Sequence, residues 1–431
     1  MRGYAARLMA LTVLFAGAGC GSDPLDEGWR HFGAGRIEDA SAAFARASGA
    51  AGAAALGEMA LLTGDDAAAE ERYRSAWAAE PQQAAYAVGY GEAVLRQGRE
   101  EEAYSAFLQA LDVAADGGHV TRIAGLVGDA HKVSRLTRTS TDNYAPRFDL
   151  DGTHVVYTSH VDGNAELMLL TLATRELRRL TDLPRTNEYG ANYSPDGSSL
   201  LYSSIQHRTN AGLITLQASG SSTRNEAFME RDVATQEDRR LSPSPGPVGS
   251  PLYSPDGTRV VFEAIVDGNL DIWTMAADGK DRVRLTTALE DDGQAAYHPA
   301  GDRIVFVRTF ERNFELMDMA TDGSDTRAVT TTPFSEYGGS FSPDGKWFVY
   351  AVERGFATTE LALMEWETRR VRPLSRVQGR CIQPAFSPDG AKVVFASDRS
   401  DYLELYLMDL TQPANAHTLR RQLNARIAAG S

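Results

Sequence analysis

The feature that most constrains this chain is a short turn sequence that returns at a nearly fixed interval. "YSPDG" occurs at 193 and 253 and "FSPDG" at 341 and 386, with worn forms at 148 ("FDLDG") and 297 ("YHPAG"). A second marker ("SRLT", "RRLT", "RRLS", "VRLT", "RAVT", "RPLS") ends at Thr137, Thr181, Ser242, Thr286, Thr330 and Ser375, in steps of 44, 61, 44, 44 and 45 residues. Between the markers lie apolar runs such as "RVVFEA", "LDIWTM" and "KVVFAS", which read as strands bounded by turns. Four strands per step is the pattern of a β-propeller blade, and there are six such units. One end marker precedes the first turn, and the sixth unit lacks a clean one. The segment around His131–Thr137 is therefore expected to supply the outermost strand of blade six, with "HTLRRQL" (417–423) as its rival.

Local physics accounts for the turn without a ligand. Proline presets the φ of the second position of a type I turn, aspartate suits the third, and glycine accepts the left-handed conformation that follows. An acid also opens the third strand of every unit: Glu166, Glu226, Asp271, Glu315, Glu360 and Glu404. Because it recurs in all blades, it is read as a blade-to-blade hydrogen-bond acceptor rather than as a metal ring. "FSPDGK", "DGNLDIW" and "RRLT", in this order, resemble the repeat of TolB-type six-bladed propellers, over about 300 residues of this sequence. That resemblance implies docking of envelope proteins on one loop face, with a peptidoglycan-associated lipoprotein as the family's partner. TolB proteins carry a small α/β domain before the propeller, and this chain does not match that pattern. Their TolA-binding role is accordingly not carried over.

A different repeat precedes the propeller. Aligning Gly35, Gly64 and Gly98 brings Ala40, Ala69 and Ala103 into register, then Phe44, Tyr73 and Phe107, then Ala47, Ala76 and Ala110. Small residues let two helices approach closely, and the aromatic fills the space between neighbouring pairs. This resembles the tetratricopeptide repeat in three units, with "HVTRIAGLVGDAHKV" (119–133) as a capping helix. Helical repeats joined to such propellers also look like scaffold lipoproteins of secretion and motility machines.

The first residues, "MRGYAARLMALTVLFAGAGC", have a basic start, an apolar core and a small-residue approach to Cys20, the layout of an export signal. Gly17-Ala18-Gly19-Cys20 resembles a bacterial lipobox, although Gly17 stands where the family usually has an aliphatic residue. That resemblance implies diacylation of Cys20 and, with Gly21 after it, sorting to the outer membrane. Ala16-x-Ala18 offers the alternative of ordinary cleavage and a soluble periplasmic protein. The expected organisation is a signal peptide (1–19), a lipidated tether (20–23), helical repeats (24–134) and a propeller (131–431). The fold class is thus an α+β multidomain chain, an α-helical solenoid followed by an all-β six-bladed propeller.

Composition excludes some functions. The net charge is −15 and no Lys/Arg cluster is present, which disfavours nucleic acid. Two cysteines, Cys20 and Cys381, form neither a disulfide framework nor a zinc spacing, and Cys381 reads as a buried hydrophobe. No GxSxG elbow is present, and the eight histidines are scattered. The chain is therefore expected to be non-enzymatic, without catalytic residues, metal or cofactor, and to touch the membrane only through its anchor. Its partners are expected to be envelope proteins. Glycan or peptidoglycan binding is the alternative, and a metal-dependent propeller lyase a weaker one. Departures from the repeat mark the candidate interaction face: Tyr144, Glu188, Tyr189, Asp291, Asp292, Glu336 and Tyr337 in the connections between units, with His298 in "YHPAG". His207 joins them from blade two's long insertion, within 205–224. Acid beside tyrosine suits recognition because tyrosine offers large area at low entropy cost.

Overall fold

The computed structural model describes residues 23–114, 117–183, 186–206, 225–243, 248–355 and 358–430. These divide into two compact units: Met1–Lys132 with Glu365–Arg376 and Gln412–Ser431, and Val133–Met364 with Val377–Thr411. Cys20, His207 and most of the 205–224 insertion lie outside the described residues.

The first unit is helical. Its helices are α1 (Pro24–Gly33), α2 (Ile37–Arg46), α3 (Gly49–Thr63), α4 (Asp66–Ala79), α5 (Ala84–Arg96), α6 (Glu100–Val113), α7 (Gly118–Val127) and α8 (Ala416–Gly430). The first six form three hairpins whose turns are made by Gly35, Gly64 and Gly98, at φ of 72°, 79° and 80°. Ala40, Ala69 and Ala103 are fully buried, as are Phe44 and Phe107, with Tyr73 nearly so. The aromatic of each second helix rests on a glycine of the first. A Cβ at Gly28, Gly57 or Gly91 would lie 2.2, 2.8 or 2.4 Å from the ring of Phe44, Tyr73 or Phe107. In the first hairpin the helix stops at Arg46, so Ala47 is an extended cap rather than a helical contact. The capping helix also ends early, at Val127, and the chain passes into a strand at His131. Residues 417–423 belong to α8, whose Leu419 and Leu423 enter the same core as Ala106, Phe107 and Ile123. None of the described helices is long and apolar enough to cross a membrane.

The β-part consists of six four-stranded sheets. Five take their strands in chain order. The sixth is assembled from Cys381–Phe386, Lys392–Ser400, Tyr402–Pro413 and, outermost, His131–Arg135. The N-terminal strand therefore closes the ring. An aromatic in the middle of each second strand (Tyr157, Tyr202, Phe262, Phe306, Tyr350, Phe395) is almost wholly buried.

The recurrent turn works as its chemistry suggests. In blade three Ser254 Oγ donates to Asp256 at 2.6 Å and accepts from the Arg259 amide at 2.9 Å, while Gly257 takes a φ of 71°. In blade four His298 replaces the serine, and its Nδ1 accepts from the Ala300 amide at 3.2 Å.

Three of the third-strand acids, Glu166, Asp271 and Glu404, are tied mainly to their own blade's end marker. Glu166 accepts from Arg179 at 2.7 Å and Thr181 at 2.6 Å, and Asp271 from Arg284 at 2.5 Å and Thr286 at 3.3 Å. Each threonine oxygen also takes the amide of the residue after the acid, Leu167 and Ile272, at 2.9 and 3.0 Å. In blade six Glu404 is bound by Arg135, Thr137 and the Thr139 amide, and also by Asn143 of blade one at 3.1 Å. The acid thus clasps strand three to strand four, and in this blade reaches the next as well.

Candidate functional site

The strand pairings described within each blade are antiparallel. The turns from strand one to two and from three to four therefore share one end of the propeller. The two-to-three turns and the connections between blades share the other. At this second end each first strand carries an equivalent ladder residue two positions before its first bulge residue: Asn143, Glu188, Val248, Asp292, Glu336 and Cys381, paired with Ser159, Ser204, Ala264, Arg308, Val352 and Ser397. One residue further on stand Tyr144, Tyr189, Gly249, Gly293, Tyr337 and Ile382.

Seven of the expected residues are brought to this end: Tyr144, Glu188, Tyr189, Asp291, Asp292, Glu336 and Tyr337. His298 is not among them. It follows Tyr297 at the far end of a strand that begins at Asp292, six residues and about 20 Å away. There it packs edge-on against Phe341, with ring centroids 4.9 Å apart.

The acids of this set do not present their charge to solvent. Asp292, Glu188 and Glu336 are all buried. Asp292 receives both Nε and Nη2 of Arg308, at 2.8 and 2.9 Å, yet burial outweighs that guanidinium and leaves its pKa raised. Glu188 accepts from Ser204 Oγ at 2.9 Å through one oxygen, while the other is buried without a donor. Burial pushes its pKa up to about 7, with the Glu166 carboxylate adding to the rise. Glu336 is held by Thr332 at 2.6 Å and Thr330 at 3.2 Å, and burial, followed by neighbouring Glu315, raises its carboxyl well above the usual range. Two acids against one another in a dry site favour one shared proton.

Asp291 serves the joint between blades. It accepts from the Leu270 amide of the preceding blade at 2.9 Å. Asn187 does the same for Ala165 at 2.8 Å, and Asp142 for Leu403 at 3.0 Å. The tyrosines are half-buried in packing: Tyr144 lies 5.5 Å from the His160 ring, and Tyr337 lies 5.4 Å from Phe314 and donates to Glu353. Burial and nearby Asp142 push the Tyr144 phenol up to about 12, so it stays a neutral donor.

What this end offers to a partner was not legible from acid and tyrosine content. Leu289 is 96% exposed in the connection into blade four, and Leu183, Phe310 and Tyr402 are exposed in other loops of the same end. The signal available in the sequence was "TTALEDD", an apolar residue inside a polar connection. For metals, Asp149, Asp151 and His154 bring one ligand atom each within 4.8 Å of one another in the blade-one turn. Asp149 there takes the serine's place, accepting the His154 amide at 2.9 Å and contacting its Nδ1 at 2.7 Å, which is turn chemistry.

Comparison with known proteins gives one family match and a set of similar structures. An oligogalacturonate lyase in complex with manganese is 18% identical, with a TM-score of 0.47, over 65% of this chain and 94% of that one. TolB from Acinetobacter baumannii is 15% identical, with a TM-score of 0.46, over 73% of this chain and 70% of that one. An acylaminoacyl peptidase is 12% identical, with a TM-score of 0.45, over 64% of this chain and 45% of that one. The expectation of a non-enzymatic chain is corrected on this point, because a lyase and a peptidase stand beside TolB among the similar structures. Residues 223–364 match the family model of the TolB beta propeller domain.

Proposed function

We propose that this protein is a lipid-anchored, protein-binding scaffold of a bacterial cell envelope, and that the end of the propeller bearing the inter-blade connections is its docking face. The observation that carries the reading is Leu289, 96% exposed in the connection into blade four and by far the most exposed large apolar side chain among the described residues. Exposed apolar residues occur at the other end too, Leu150 and Val283 among them, but none of the described ones approaches Leu289 in exposure, and a leucine so presented suits the anchor of an interface rimmed by charge. Glu290, beside Leu289, supplies such a rim. The TolB-type match over 223–364 supports an envelope setting, and the lipobox-like approach to Cys20 supports an anchor on the periplasmic side of the outer membrane. The three hairpins, read as tetratricopeptide-like repeats, would extend the scaffold toward a second partner.

A photo-crosslinker placed at position 289 in envelopes should capture a discrete partner, and one placed at Leu150, exposed at the opposite end, should not. Identical products from the two positions would refute the docking face. Cys20→Ala should move the protein from the membrane to the soluble fraction. Retention on the membrane would remove the lipid anchor from the proposal.

A further inference from the structure

The first strands form the innermost ring of the propeller, and one residue in that ring breaks the pattern of all the others. Behind the bulge in each first strand, the residues facing Val156, Leu201, Val261, Val305, Val349 and Val394 are Arg147, Asn192, Leu252, Ala296, Ser340 and Ala385. Five are small or uncharged. The sixth is a half-buried arginine.

Its neighbours do not neutralise it. Arg147 Nε donates to Asn192 Oδ1 at 3.1 Å, and Nη1 donates to the Pro146 carbonyl at 2.9 Å. Asn192 is itself held by the Gly190 and Pro251 carbonyls, both at 3.0 Å, so the guanidinium is gripped in a fixed orientation. Of its five N–H groups, three remain without a protein acceptor. No carboxylate contributes to its titration, and burial alone pulls its pKa down to about 10, so it keeps its charge at neutral pH. Two amides of the same ring have their oxygens occupied by backbone donors. Gln383 Oε1 accepts from Ala145 at 2.8 Å and Gln294 Oε1 from Gly338 at 2.7 Å. Each then has an NH₂ for which no partner is present. The carboxyl of Glu263 accepts from the backbone N–H of Gln294 at 2.5 Å and takes no part in Arg147's electrostatics.

An uncompensated cation in a partly dry site costs stability. It persists where something else supplies the counter-charge. A planar fork held by two neutral acceptors, with N–H groups left over, is suited to a bidentate oxyanion. We propose that the propeller channel binds a small organic carboxylate through the free N–H groups of Arg147, with the side-chain amide of Gln383, anchored two residues away on Ala145, as a neutral donor beside it. This site is separate from the docking face, and neither depends on the other.

The test uses the full-length chain with succinate as probe, in a buffer otherwise free of carboxylate and phosphate. Succinate at tenfold excess over its Kd should raise the Tm by about 3 °C and do so saturably. Arg147→Met should show no such rise, and in probe-free buffer it should melt at or above the wild-type temperature because an unpaired charge has gone. An equal succinate response in R147M would overturn the proposal, as would no response in the wild type to either succinate or trialanine. A response to trialanine with a free but not an amidated C-terminus, and none to succinate, would keep the carboxylate chemistry and assign its source to a peptide end. Should R147M not fold, two readouts remain. R147K, which keeps charge but loses the fork, should bind at least about tenfold more weakly. In the wild type the Arg147 Nε–H resonance should shift on titration, and an unmoved resonance would refute the site.

Discussion

Glu188 shows what one residue's surroundings do to its chemistry. It stands where Asn143 and Cys381 stand in other blades, at a position buried in every case described. A carboxylate there is desolvated against Ser204 and near Glu166, and its pKa rises from an ordinary 4.5 to about 7. The folded state therefore binds a proton that the unfolded state has already released. Stability from this group is fully present below pH 4.5 and is lost as pH rises through about 7. A shift of that size is worth about 3 kcal/mol. Glu188→Gln, which mimics the protonated form, should match the wild type at about pH 4 and exceed it by about 3 kcal/mol at pH 8 in urea unfolding. Parallel pH profiles for the two proteins would contradict this reading. Asp292 differs because Arg308 shares its burial. Arg308→Ala strands a buried carboxyl and should cost about 3 kcal/mol or more, read in the same experiment.

Among the elements, the helical hairpins rest on one substitution pattern, a glycine in the first helix under an aromatic in the second. Gly91 lies in the middle of α5, where alanine would ordinarily gain about 1 kcal/mol of helix propensity. Here a Cβ would sit 2.4 Å from a ring carbon of Phe107, which is fully buried and has nowhere to retreat. Gly91→Ala should therefore be net destabilising by about 1–2 kcal/mol in denaturant unfolding, and adding Phe107→Leu should recover at least half of that. A G91A protein as stable as the wild type would show that the hairpin has slack. This contact was half legible in the sequence: the aromatics Phe44, Tyr73 and Phe107 stood out as a repeat, while the glycines they rest on needed the helix crossing. Blade number and order were legible throughout, because a turn is a local device and each one announces its blade. Partners across strands were not. Arg308 lies sixteen residues beyond Asp292 on the next strand, so a charge that looked available for recognition is internal. His298 was set with the same face because "YHPAG" departs from the repeated turn, but that turn lies at the opposite end of the strand from Asp292. Arg147 carried a signal that went unread, since lining up the residues before each turn sets one arginine against asparagine, leucine, serine and alanine.

The whole propeller depends on how its ring is joined. Five blades draw all four strands from one stretch of chain, whereas blade six unites His131–Arg135 with strands near the other end of the sequence. The clasp that holds it is the one used elsewhere: Thr137 donates to Glu404 and its oxygen accepts the Leu405 amide at 2.9 Å. What differs is the separation of the partners, 267 residues here against 15 for Thr286 and Asp271. Losing a clasp between neighbouring strands leaves them tethered by a short turn, so the opened state gains little freedom. Losing it at the closure frees ends separated by most of the molecule, and the entropy released on opening is correspondingly larger. Thr137→Val and Thr286→Val each remove a hydroxyl from a buried acid, at about 1–3 kcal/mol for the unsatisfied group. Only the first also weakens the seam of the ring. T137V should lower the Tm further than T286V, and its amides in 403–408 should exchange faster than those of 270–275 do in T286V. Equal losses, with exchange confined to the mutated blade in both proteins, would mean that the seam is as strong as any other sheet.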